Sequence, residues 1–317
     1  MARYKYPRLF SDSPGRILPS SDEVPPFDFD LLKAMGWRAK AFAAMYKALL
    51  WPVLGLLQRF RPVARFGGLT IVTRDADVRA VLADPEQFPT PFGPEMEALA
   101  GGATFLLGLD GKPHERQKRV LLDLIDPSRD LELVGRLSLE YADALLDAGK
   151  GRIDAQRDLV LRTAAEVCAG YFGFVLRDVD LFAQWTVAAS NFLFADPTGK
   201  PVAAELASSA GAGLRAAADR ALALAAKADT LPDTLSGRLV GMSRESDGPD
   251  LAEARAILIG LAVGFVPTNA LAGGKMLSFL ARNRRARQQA LEAARSHDAE
   301  ALRRILLEAG RLDPALA

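Results

Sequence analysis

The chain is poor in the residues that most often carry chemistry. It has one cysteine, Cys168, in 317 residues. That excludes an internal disulfide framework and fits a reducing, cytoplasmic setting. It has two histidines, His114 and His297, far apart in sequence, which leaves no His-rich metal site. Its 40 basic and 39 acidic residues give a net charge of +1, so no bulk field draws it to nucleic acid or to an anionic membrane. Walker loops and the patterns G-x-G-x-x-G, H-E-x-x-H and G-x-S-x-G are absent, and nucleotide, zinc-protease and hydrolase chemistries lose their usual signatures. The opening residues, MARYKYPRLFSDSPGR, lack the apolar core of a signal peptide.

What is present is apolar and helical. Half of the residues are hydrophobic and a quarter are charged, an ordinary globular composition. Two apolar stretches have the length to raise a membrane question. AFAAMYKALLWPVLGLL carries Lys47 and Pro52 and reads as a surface or core helix. AILIGLAVGFVPTNALAGG, residues 256–274, is uncharged but holds Pro267, Thr268, Asn269 and several glycines. It reads as a helix buried in a protein core, so no transmembrane span is expected. The basic run ARNRRARQQALEAARSHDAEALRR has no interleaved aromatics and is balanced by Glu292, Asp298 and Glu300. It reads as a solvated helix face, with no nucleic-acid partner.

Along the chain, residues 1–26 form an irregular lead-in rich in Pro, Ser and charge, and 27–317 form one domain. A helix is expected over 28–60, with breaks at Gly36 and Pro52. PVARFGGLTIVTR then alternates around Gly67-Gly68, a hairpin signal. In DADVRAVLADPEQF, Asp75 is placed to cap a short helix with Val78, Val81 and Leu82 on one face. Residues 89–112 lack a steady period and read as a long loop. Pro113 suits a helix first turn, and HERQKRVLLDLI sets a basic face against an apolar one. Helices follow over about 128–148, 156–172, 178–193, 202–227, 231–242, 250–281, 283–296 and 298–312, and RIDA (152–155) has the makings of a short strand. The fold class is mainly α with a small β element near the N-terminus.

The order of these pieces is specific. A hairpin leads into D-x-D-V-R-x-V-L-x-D-P-x-x-F, and a loop leads into a basic helix opening with His114. A long uncharged helix comes late, and Glu308-x-x-Arg311 comes after it. This order resembles the cytochrome P450 family of haem-thiolate monooxygenases, from about residue 60 to residue 314. The resemblance implies a P450-like fold, a haem b cofactor, and an oxidoreductase acting on a hydrophobic small molecule. Either a redox partner supplies electrons or a peroxide takes their place. It implies that His114, Lys118 and Arg119 contact the haem propionates, with Lys118 standing where an arginine is usual. A lysine there supplies charge without the bidentate fork. It places Gly264 and, more weakly as catalytic residues, Thr268 and Asn269 on the distal side. Glu308 and Arg311 become a structural pair, buried in the family and locked to the segment that carries the haem ligand.

Two departures from the family pattern bear on mechanism. After Gly264 the family continues with any residue, an acid and a threonine; here Val266 and Pro267 occupy the last two positions. That acid–alcohol pair relays protons to iron-bound dioxygen, which Val and Pro cannot do. Peroxide or hydroperoxide chemistry needs no such relay. The second departure is the ligand. The family's cysteine lies in an F-x-x-G-x-x-x-C-x-G loop after the E-x-x-R helix, and residues 312–317 contain no such loop. Cys168 sits in a helical run, with Leu161, Ala164 and Glu166 where Phe, Gly and Arg would stand, and reads as a buried structural residue. The expectation is a P450-like domain with its C-terminal part missing. Exposed apolar helix faces and an unlocked Glu308–Arg311 pair should follow. The alternative is a non-catalytic remnant or helical interaction protein that cannot ligate haem iron.

Overall fold

The computed structural model describes residues 37–67, 69–194 and 201–314. The lead-in expected over 1–26, and the break expected at Gly36, lie outside them. Helix α1 (Trp37–Phe60) runs through Pro52 and meets strand β1 (Val63–Phe66), which pairs antiparallel with β2 (Leu69–Val72). Phe66 opposes Leu69, so two residues make the turn, and Gly67 has φ 60°. Such a turn needs a positive φ, which glycine adopts without a Cβ clash.

Helix α2 (Asp75–Leu82) follows, but Asp75 is its first residue and not its cap. Its carboxylate accepts from Arg79 one turn on, and Leu82 faces solvent. The stretch expected as a long loop holds helix α3 (Gly93–Ala100) and a 3-10 turn at Leu106–Gly108. Met96, Leu99 and Ala100 are buried on one side of α3, and Gly101 closes it at φ 77°. Eight residues are too few for a clear period, so tertiary burial decides this helix.

The remaining helices are α4 (Gly111–Leu124), α5 (Pro127–Ala148), α6 (Arg162–Phe172), α7 (Val179–Phe194), α8 (Pro201–Lys227), α9 (Leu235–Met242), α10 (Leu251–Arg282), α11 (Arg284–Arg295) and α12 (Ala299–Leu312). Most start where a capping side chain stands. Asp126, Thr234, Asp250, Asn283 and Asp298 each accept from a backbone N–H of the first turn, which satisfies donors the helix cannot pair itself. RIDA forms no strand. Asp154 instead caps a π-helical segment, Ala155–Leu161, that runs into α6. Val160 and Gln156 of this segment pack on Gly273 and Gly274 of α10, where a Cβ would lie within 2.6 and 2.9 Å of them.

Helix α10 is the axis of the core. By length and composition it could cross a membrane, yet Ala254, Ala256, Ile257, Leu258 and Ala262 are completely buried by protein. It packs against α3, α6, α7, α8, α9 and the π segment. Each large aliphatic side chain so buried contributes about 1.5–3 kcal/mol.

One buried charge cluster joins three helices. Asp130 of α5 is 4% exposed. Arg238 of α9 donates to both its oxygens, at 2.7 and 2.8 Å, and Tyr171 of α6 donates its hydroxyl at 2.7 Å. Burial opposes ionisation of Asp130, but the hydrogen bonds from Arg238, Tyr171 and the Asp126 N–H prevail and hold the carboxyl well below the usual carboxylate range. Asp130→Asn should therefore destabilise the fold by about 1–3 kcal/mol in urea unfolding, because Arg238 keeps its burial and is left with the exposed Asp233 carboxylate, 2.9 Å away, as its counter-charge. A depressed folded pKa adds stability above the unfolded carboxylate pKa and loses it as pH falls through the folded one. The wild-type melting temperature should accordingly drop with acidification below about pH 4 more steeply than that of Asp130→Asn.

Candidate active site

The middle of α10 faces a small apolar cavity of about 20 Å³, room for about one water. Ile259, Gly260, Val263 and Gly264 form its floor; α3, the 3-10 turn and the end of α7 form its walls. The two glycines do different work. A Cβ on Gly260 would lie 2.1 Å from Cγ of Phe105, so Gly260 exists to let that ring lie on the helix. Nothing stands within 4 Å of a Cβ on Gly264. Phe92 and Phe194 meet edge to face at 5.2 Å, joining the segment before α3 to the end of α7.

Arginines hold these walls in place. Arg215 of α8 donates to the Leu99 carbonyl at 2.8 Å, and Arg255 of α10 donates to the Gly101 carbonyl at 2.8 Å. Both satisfy the free carbonyl end of α3. Arg116 of α4 grips the Glu253 carboxylate at 2.7 and 2.8 Å and the Gly248 carbonyl at 3.1 Å. The hydrogen bond it donates to Glu253, set against burial, raises the Arg116 pKa. The buried Gln117 amide donates to the Thr104 carbonyl at 3.1 Å and to Glu253 at 3.2 Å. Sequence reading gave Arg116 only a place on a basic face. Its partner lies 137 positions away, and no local pattern announces such a pair.

The expected site residues fall on three separate elements. His114 is half-buried in the first turns of α4, and Lys118 and Arg119 are exposed on the same helix. Gly264 lies 11 residues beyond Glu253, about 16 Å along α10. The Arg116–Glu253 pair thus joins α4 to α10 well away from the cavity. Thr268 lies one turn past Gly264 and is exposed; the cavity stops short of it. Asn269 is exposed and turns its amide back on its own helix, donating to the Phe265 carbonyl at 2.7 Å. Val266 is completely buried, and α10 continues through Pro267. Glu308 and Arg311 do pair, at 2.6 and 2.8 Å, but both side chains are exposed, in contrast to the buried pair of the family pattern. The reason is the face of α12 they occupy. Leu302, Ile305, Leu306 and Ala309 point inward, and the pair lies off that stripe. A solvated pair of this kind adds little stability.

Cys168 is completely buried in the core, and burial pushes its thiol pKa well up. It cannot present a thiolate to a ligand without opening α6.

No protein-family model and no curated protein matches the chain. Solved structures do. CalO2 superposes at TM-score 0.66 with 22% identity, over 83% of this chain and 67% of that one. Open cytochrome P450 EryK from S. erythraea gives 0.65 and 23%, over 84% of this chain and 66% of that one. Epothilone B-bound cytochrome P450epoK gives 0.65 and 20%, over 84% and 69%. This is the cytochrome P450 fold. The chain spans about two thirds of the length of these structures. Within the P450 fold, α10 corresponds in order and character to the long uncharged helix that the sequence singled out.

The glycine contrast is directly testable. Gly260→Ala should cost about 1–3 kcal/mol by overpacking against Phe105. Gly264→Ala should be neutral or stabilising by up to about 1 kcal/mol, the helix-propensity gain. Thermal or urea unfolding of the two variants distinguishes them.

Proposed function

We propose that the chain is the haem-cradling part of a P450-type oxidoreductase whose substrate is a hydrophobic small molecule. The observation that carries this reading is the open space over Gly264. It lies beside a wholly apolar cavity, in the charge-free stretch from Ala256 to Gly274 of α10, in a P450 fold. The P450 reading gives α10 the distal face, and His114, Lys118 and Arg119 on α4 the haem carboxylates, by hydrogen bonding and charge. When bound, haem supplies oxidative chemistry at its iron, tuned by the axial ligand. The residues suit the carboxylates and the open face. They do not suit the axial position, because Cys168 is buried and protonated. No reaction step is therefore assigned to the iron.

The protein's own contribution is binding and exclusion of water. Apolar walls favour an apolar ligand. EryK has been solved with erythromycin B and P450epoK with epothilone B, both far larger than about 20 Å³. A ligand of that size requires Phe105 and α3 to move off α10. With Val266 and Pro267 where an acid and an alcohol would stand, α10 offers no side-chain proton relay beside Gly264. Use of a peroxide fits this helix better than activation of dioxygen. The full burial of Cys168 also favours a second reading, a non-catalytic helical protein that holds no iron.

Titrating the purified chain with haemin, followed by absorbance, separates the two. Saturable uptake is expected, weakened about tenfold (about 1.4 kcal/mol) by Lys118→Glu and unchanged in spectrum by Cys168→Ser. Absence of uptake, or uptake indifferent to Lys118 and His114 substitutions, would leave the non-catalytic reading standing.

A further inference from the structure

Charge along the chain is unevenly placed. Residues 31–74 hold eight lysines and arginines and no aspartate or glutamate. A chain of net charge +1 thus carries +8 in this segment and −7 in the rest. Among the described residues, the same segment contains eight of the 22 large apolar side chains left in solvent. In α1, Met45, Leu49, Val53, Leu56 and Phe60 recur at steps of four, four, three and four. At about 100° per residue they share one face of the helix, within about 80° of arc. All five are between 47% and 69% exposed. Leu50, Leu54 and Leu57, further round the helix, are half-buried, and α1 packs on β1. One apolar face is covered by protein, and a second is not. Val63 and Phe66 of the hairpin are exposed as well, and Arg59, Arg61 and Arg65 stand exposed among these residues; Trp51 is exposed on a different side of α1.

Contiguous apolar surface beside unopposed positive charge marks an interaction face. The apolar run Leu49–Phe60 is well short of the ~20 residues a membrane span needs. A second copy of this face is disfavoured, because two segments of +8 would meet. An anionic lipid surface answers both features at once: acyl chains take the stripe, and phosphates take the arginines.

We propose that α1 and the adjoining hairpin lie on an anionic phospholipid bilayer. The Met45–Phe60 stripe sits at the acyl boundary and Arg59, Arg61 and Arg65 sit at headgroup level. This inference does not depend on the haem reading, and its test contains no haem.

The test is vesicle flotation with the purified full chain. Phosphatidylcholine vesicles are compared with phosphatidylcholine vesicles containing phosphatidylglycerol. Binding is expected to the anionic vesicles alone. It should fall about tenfold or more between 0.1 and 1 M salt, as the screening length shrinks from about 10 to about 3 Å. The double variant Leu49→Glu, Leu56→Glu changes two exposed positions and should keep the wild-type melting temperature while losing about tenfold or more of the binding. Leu131→Glu, an exposed leucine on α5, should bind as wild type. Equal binding to neutral vesicles, equal loss in Leu131→Glu, or failure to float with either vesicle would overturn the proposal. So would a concentration-dependent dimer that Leu49→Glu, Leu56→Glu abolishes while vesicles stay bare.

Discussion

The structure depends on hiding one helix. From Ala256 to Gly274, α10 carries no charge, and water is a poor neighbour for such a run. Helices α3, α6, α7, α8, α9, α11 and α12 and the π segment pack against it. Where a neighbour must come closest, α10 supplies glycine: Gly260 under Phe105, and Gly273 and Gly274 under the π segment. Gly264 is the exception, a glycine with space above it. An apolar helix buried along much of its length, with open space at Gly264 beside a cavity, is the geometry that makes a pocket.

The covering elements are fastened by arginines reaching across long stretches of sequence. Arg116 joins α4 to Glu253, Arg215 and Arg255 hold the end of α3, and Arg238 holds Asp130 between α5 and α9. The guanidinium suits this work because its planar fork meets a carboxylate or several carbonyls at once and stays charged when half-buried. These contacts set the position of α3 and the 3-10 turn, and so the size of the cavity. The side chains chosen by motif, by contrast, are mostly exposed. Lys118, Arg119, Thr268, Asn269, Glu308 and Arg311 all face solvent. A charge that is to meet a ligand must be reachable, whereas a charge that holds the fold must be paired, and the two populations separate on this chain.

Much of the helical order was legible because capping residues and apolar periods are local. The helices expected over about 128–148, 250–281, 283–296 and 298–312 start in the fold at the capping residues Asp126, Asp250, Asn283 and Asp298, whereas the one expected from 231 starts only after Thr234. The hairpin was legible from Gly67-Gly68 between alternating strands. Helix α3 was not, because its eight residues hold too little periodic signal and its stability comes from α7, α8 and α10. Ala155–Leu161 falls almost wholly within the helix expected over 156–172, but its π register, packed on Gly273 and Gly274 of α10, has no local signature. Asp75 matched the pattern of a cap but begins its helix, where its carboxylate meets Arg79.

The sequence by itself determined the class of fold, the order of its elements, the burial of Cys168 and the one helix that must be central. These follow from composition, caps and period, which act over a few residues. Tertiary structure alone decided which glycine is open and which is filled, which arginine pairs with which acid, and which apolar stripe is left in solvent. Those outcomes depend on groups more than a hundred residues apart meeting at a few ångströms, and a local pattern carries no record of its distant partner.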